Sequence, residues 1–145
     1  MAYTIADIED SIVDALKASG LAAIAKTIDS YHGEIEDLVG EAKKLLIPLP
    51  AVFVLYGGSQ FDETANRSFD DEQIFTVVVV ARDLRGRASL RTGVYDILEE
   101  LKNTLIDNNL DLDIEPLHPI RIDPLAITKG LSIYGFDFKT SLDLG

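Results

Sequence analysis

Residues 73–82 read QIFTVVVVAR, and the stretch from Phe75 to Ala81 is apolar at both odd and even positions. β-Branched and aromatic residues in such a run form a strand. A strand that is apolar on both sides must be covered on both faces, which places it in the middle of a sheet. The rest of the chain has to be arranged around it. Residues Ala51–Tyr56 (AVFVLY) form a second strand of the same kind. The segment between them, Gly57–Glu72 (GGSQFDETANRSFDDE), has 16 residues. Hairpin loops usually take about 2–5 residues, so part of this segment extends the two strands as a protruding arm.

Helical periodicity flanks this pair. Thr4 caps a first helix with Asp7 in its first turn, and Ile5, Ile8, Ile12, Ala15 and Leu16 form its stripe up to a stop at Gly20. Residues 22–31 read as a short strand. Ile35, Leu38, Val39, Ala42 and Leu45 mark a second helix, acidic at its start, basic at its end, and closed by Pro48 and Pro50. Leu90, Val94, Ile97, Leu98, Leu101 and Leu105 mark a third. Asp107, Asn108 and Asn109 then turn the chain. Final strands run near Ile120–Thr128 and Leu131–Leu142, joined by a tight turn at Lys129-Gly130. In the last strand Tyr134, Phe136 and Phe138 share one face, and Asp137 and Lys139 the other. The expected order is α-β-α-β-β-α-β-β. It predicts an α+β fold in which three helices pack on a mixed, largely antiparallel sheet, as one domain over residues 1–145.

Composition narrows the chemistry. The 145 residues include no cysteine, which excludes disulfides, thiol nucleophiles and thiolate metal sites. Thirteen Lys and Arg against 25 Asp and Glu give a net charge of −12. Such a surface repels phosphate, which argues against nucleic acid and anionic membrane as partners. The first ten residues, MAYTIADIED, lack the basic and apolar regions of a signal peptide, so folding in a cytoplasm is expected.

Few residues point to catalysis. His32 and His118 stand apart, with no metal-binding spacing. Asp111, Asp113 and Glu115 alternate along what reads as an extended stretch. With His118 they can gather a hard cation, the basis of a metal-assisted hydrolase reading. A solvated strand face is the simpler account. Gly57-Gly58-Ser59 follows a strand but lacks the pattern of a phosphate loop, and the two glycines read as a bulge or a close backbone approach.

The charge is uneven. Acid concentrates in the arm at Asp62, Glu63, Asp70, Asp71 and Glu72, beside Arg67. Arg82, Arg85, Arg87 and Arg91 form a basic island at the next junction. Phe61 and Phe69 sit within the acidic arm, where exposed aromatics serve as interface anchors. These twelve residues are the candidate subunit or partner interface. A monomeric adaptor that uses the same arm is the other non-enzymatic reading.

Several stretches carry a resemblance. They are Tyr31-His32-Gly33-Glu34, Pro50-Ala51-Val52-Phe53-Val54 with Tyr56-Gly57-Gly58, and Val77–Gly86 (VVVVARDLRG). Gly93, Tyr95 and Leu98 follow, then Leu110–Pro119 (LDLDIEPLHP), Leu131-Ser132-Ile133-Tyr134, Phe136 and Phe138. In order and spacing the chain resembles the small tail proteins encoded in Mu-like prophages. The resemblance implies a tail terminator, similar in fold and role to the lambda tail protein U. It implies a homohexameric ring in the virion that stops tail-tube growth and forms the joint to the head connector. Tail tube and sheath proteins would be its neighbours. The family brings no catalytic residues to carry over, and no cofactor or metal is expected. Its interface positions follow no motif, so the interface above rests on charge and aromatic placement alone.

Overall fold

A computed structural model describes residues 3–31, 48–65, 68–83, 93–128 and 130–144. Helix α1 spans Ile5–Lys17, a 3₁₀ turn Gly20–Ala23, and strand β1 Thr27–Ser30. Strands β2 and β3 span Ala51–Glu63 and Phe69–Asp83, helix α2 spans Val94–Leu105, and strands β4 and β5 span His118–Thr128 and Gly130–Asp143. The five strands form one sheet in the order β1-β2-β3-β5-β4. Only β1 runs parallel to its neighbour β2; the other pairs are antiparallel. The mixed, largely antiparallel α+β architecture is therefore as expected. Two helices are described. The helix expected over Ile35–Leu45 lies outside the described residues, as do Leu90 and Lys129.

The strand from Phe75 to Ala81 is central, and its odd and even residues feed two cores. Phe75, Val77, Val79 and Ala81 join Ile8, Ile12 and Leu16 of α1 and Ile97, Leu101 and Leu105 of α2. Val78 and Val80 join Ala51, Phe53, Leu131 and Ile133 on the opposite face. From Val77 to Ala81 both faces of β3 are closed to water, which is why the sequence shows no alternation there. Phe136 and Phe138 of β5 stack on the helical side with ring centroids 4.2 Å apart.

α1 begins with a capping box: the Thr4 hydroxyl accepts from the Asp7 N–H at 3.0 Å, and the Asp7 carboxylate accepts from the Thr4 N–H at 2.9 Å. The helix ends at Lys17, before the expected stop. Ser19 caps the next turn, and Gly20 opens that turn rather than closing α1. The strand expected over residues 22–31 is shorter, because Gly20–Ala23 is a 3₁₀ turn that buries Leu21. Only Thr27–Ser30 pairs with β2.

β4 is an edge strand. Pro119, Pro124, two register shifts and the exposed Arg121–Asp123 pair mark it. These are the devices that keep an edge from recruiting another chain. Asp123 accepts from Arg121 Nη2 at 2.8 Å, and this bond, with the charge of Asp123, raises the guanidinium pKa.

Candidate subunit interface

The arm is real, and it differs from a two-stranded hairpin. β2 and β3 stay paired from Ala51↔Val80 out to Glu63↔Phe69. Thr64 and Ser68 close the tip, with the Thr64 N–H donating to the Ser68 carbonyl at 2.8 Å. β5 follows β3 on its other side as far as Asp70↔Asp143. The Leu144 N–H then donates to the Phe69 carbonyl at 2.9 Å. The arm is thus three strands wide, and its β3 strand is hydrogen-bonded on both edges. The sequence carried no signal for this, because the partner lies some 70 residues away in the chain.

One extra residue sets which side chains face which way. The β2–β3 register shifts between Tyr56 and Gly58, leaving Gly57 as a bulge. Gly58 sits at φ +124°, a conformation that L side chains rarely adopt. A Cβ on Gly57 would lie 3.3 Å from the Ile74 carbonyl oxygen. The glycines therefore serve the bulge and close approach that their position suggested. The bulge flips the alternation beyond it. Tyr56 faces the helical side, where its ring lies 5.7 Å from Phe75. Ser59, opposite Gln73, faces the same side, and its hydroxyl bonds the Tyr56 hydroxyl.

The same parity places Phe61 opposite Asp71 on the helical side, with Phe69 two residues before Asp71 on that side. Both rings are exposed, Phe61 at 57% and Phe69 at 46%. Leu144, also exposed, adds a third apolar side chain at this end. Asp62 and Asp70 pair with each other on the opposite side. Glu72, also on that side, lies 4.0 Å from Lys139.

Asp71 is the exception among the arm's acids. It is only 8% exposed, while Gln73 next along the same face is 1% exposed. The Gln73 Nε2 donates to Asp71 Oδ2 at 2.6 Å. Among the described residues, Asp71 Oδ1 and Gln73 Oε1 are buried with no hydrogen-bond partner.

Arg82 is exposed at the far end of β3. It lies eleven residues from Asp71 along one strand, about 37 Å at roughly 3.4 Å per residue. Arg67, Arg85, Arg87, Arg91 and His32 lie outside the described residues. The structure thus puts the acidic arm and the start of the basic island at opposite ends of one strand.

The three carboxylates from Asp111 to Glu115 are not gathered on one face: Asp113 and Glu115 line one hollow with Ser141 and Asp143, and Asp111 lies apart. Leu110 and Asp111 take positive φ of 60° and 58°. Asn108 and Asn109 hold this turn by accepting from the Leu110 and Asp111 N–H groups at 2.7 and 3.1 Å. Asp111 lines a hollow of about 320 Å³ beside Ser11 and Asp14. Glu115 and His118 line another of about 470 Å³ with Glu72 and Lys139. Among the described residues no group of three His, Cys, Asp or Glu side chains is placed to hold a metal ion. Among them, too, no helix is long and apolar enough to cross a membrane.

The fold is shared with a chain from the virion of a native gene transfer agent particle. The two superpose with a TM-score of 0.63 over 98% of this chain and 99% of that one, at 16% identity. In sequence, residues 4–142 match the family described as Bacteriophage Mu, Gp37, and the chain belongs to that family. No protein with a curated description matches the sequence.

Proposed function

We propose that this protein is a structural component of a phage-type tail, a terminator that caps the tail tube as a ring and joins it to the head connector. The observation that carries this reading is family membership across residues 4–142. The fold shared with a virion chain over almost the full length of both supports it. In this reading the protein works through its surfaces, without catalysis or cofactor. Its partners are further copies of itself, most simply six, together with tube and sheath proteins and the connector. It assembles in the host cytoplasm and ends in the virion.

The placement of charge supports a ring. A cyclic assembly joins one patch to a different patch on the next copy. The arm, with Phe61, Phe69 and its acids, and the Arg82 end of β3 are two such patches on opposite ends of the subunit. An overall charge of −12 also suits a lumen that DNA crosses without being held.

The test is electron microscopy of tailed particles that carry a labelled full-length chain. Density for the label is expected at the head-proximal end of the tail. Label along the tube, in the capsid shell or absent from particles would overturn the terminator reading. Deleting the whole arm is a poor test, since β3 from Phe69 onward is paired on both edges. Phe61→Ser with Phe69→Ser leaves the strands intact and is expected to abolish capping.

A further inference from the structure

Strand β4 carries two register shifts, one between Pro119 and Arg121 and one between Pro124 and Ala126. The residue that each shift leaves out of the ladder with β5 is apolar: Ile120 in the first and Leu125 in the second. Both are exposed, Leu125 at 56%. An extra residue in a strand re-aims its side chain, so these bulges turn two aliphatic groups into water. They do so at an edge whose prolines already resist a further strand, which leaves contact through side chains.

Gly135 fixes the face on which Leu125 lies. A Cβ on Gly135 would lie 3.0 Å from Leu125 Cδ1, so the leucine rests across the place where that glycine has no side chain. Gly135 pairs with Val78, which belongs to the core on the face opposite the helices. Leu125 is therefore on that face. Arg82 is on it too, because Val78, Val80 and Arg82 alternate along β3. Arg82 pairs with Leu131, four residues before Gly135, which is about 14 Å at roughly 3.4 Å per residue. An exposed leucine and an exposed cation thus share one face at one end of the sheet.

The arm is the counterpart. Phe61 and Phe69 are exposed on the helical side. Glu63, two residues after Phe61 and opposite Phe69, shares that side and is exposed. Phe61 is level with Leu142 through Asp71, seven residues beyond Gly135, which is about 24 Å at roughly 3.4 Å per residue. The arm cannot reach Leu125 of its own copy. The two surfaces look in opposite directions from opposite ends of the sheet. One copy's arm can therefore lap over the back of the next in a repeating sense, whereas a two-fold pair needs one surface to meet itself.

We propose that Leu125 and Arg82 form the seat for the arm of a second copy of this chain. Phe61 and Phe69 cover Leu125, and Glu63 pairs with Arg82. The aromatic rings anchor the contact and the charge pair sets its register. This rests on the ring reading above and names the contact that repeats around the ring.

Cross-linking tests it, because the natural chain has no cysteine. The full-length Phe61→Cys, Leu125→Cys variant is oxidised, both as concentrated purified protein and inside tail-bearing particles. A disulfide needs Cα atoms within roughly 7 Å, so any bond between the two positions joins two copies. A ladder of covalent multimers on a denaturing gel is expected in at least one preparation, and nothing above a dimer from either single-cysteine variant. Adding Arg82→Glu is expected to lower the yield of multimers roughly tenfold or more, and adding Glu63→Arg to that chain to restore it. In the chain without cysteines, Leu125→Asp is expected to leave the melting temperature unchanged and to lower entry into particles roughly tenfold or more.

No ladder, although the variant enters particles, would overturn the seat and leave the tail reading standing. So would a covalent dimer with no higher species, a cross-link to a different tail protein, or Leu125→Asp entering particles as the parent chain does. Failure of Glu63→Arg to restore the yield would overturn the pairing with Arg82. A variant that forms the ladder when purified but never enters tails would keep the contact and overturn the tail reading.

Discussion

Phe61 and Phe69 stand on the same face of the arm because Gly57 is an extra residue in β2. Were Gly57 paired in the ladder instead of bulged, the strict alternation of β2 would send Phe61 to the opposite side, across from Asp70 rather than Asp71. A single bulge thus assembles an exposed aromatic pair over a buried carboxyl, and it does so through backbone register alone.

The bulge depends on Gly58, at φ +124°. Gly58→Ala has room for its methyl group but not the conformation. It is expected to lower unfolding free energy by about 1–3 kcal/mol in a denaturant titration. A loss below about 0.5 kcal/mol would mean that the strand straightens without consequence.

The core and the arm should respond oppositely to loss of an aromatic. Phe75 is fully buried and packs on Tyr56. Phe75→Ala is expected to cost about 3–5 kcal/mol, measured by chemical denaturation. Phe61→Ser and Phe69→Ser remove exposed rings and should each stay within about 0.5 kcal/mol of the parent chain. They are expected to show their effect in assembly assays instead.

Gln73 is held in the arm by Asp71 and holds it in return. Gln73→Met strips the donor from Asp71 Oδ2, 2.6 Å away, and leaves a buried carboxyl with neither oxygen met among the described residues. The expected loss is about 1–3 kcal/mol. In an Asp71→Leu background the same change should cost much less, so a double-mutant cycle reads out the coupling. Additive effects would mean that the two side chains act independently.

The capping box of α1 gives a local prediction. Thr4→Ala removes the acceptor for the Asp7 N–H at an exposed helix start. Thermal unfolding should report a loss of about 1 kcal/mol. Thr4→Ser and Thr4→Asp are expected to retain most of the stability.

Much of the fold was legible along the chain. The stripes of α1 and α2, the double-faced apolar run of β3 and the alternation of β5 each arise from neighbours within one element. Their periods of 3.6 and 2 survive in the sequence because burial acts on one face at a time. The glycine pair also announced itself, since φ near +124° is open to little else. Two local signals misled. Asp111 is separated from Asp113 and Glu115 by backbone at positive φ, which Asn108 and Asn109 stabilise through their side chains. The weak alternation after Gly20 is a 3₁₀ turn with Leu21 buried.

The candidate interface was legible only as composition: acid and two phenylalanines in one stretch, arginines in another. That the acids from Asp70 to Glu72 and Arg82 sit toward opposite ends of the chain's central strand follows from the length of β3. Which acid is buried does not. Asp71 and Asp70 are adjacent and chemically identical; the alternation of β3 puts Asp71 on the side of Phe75, and what covers it there is tertiary, with Phe61 opposite it through the bulge at Gly57 and Leu142 of β5 alongside. The chain by itself determined the elements and the chemistry available to them. The strand order β1-β2-β3-β5-β4 determined which of those groups lie together, because pairing across a sheet joins residues with no sequence proximity to record it.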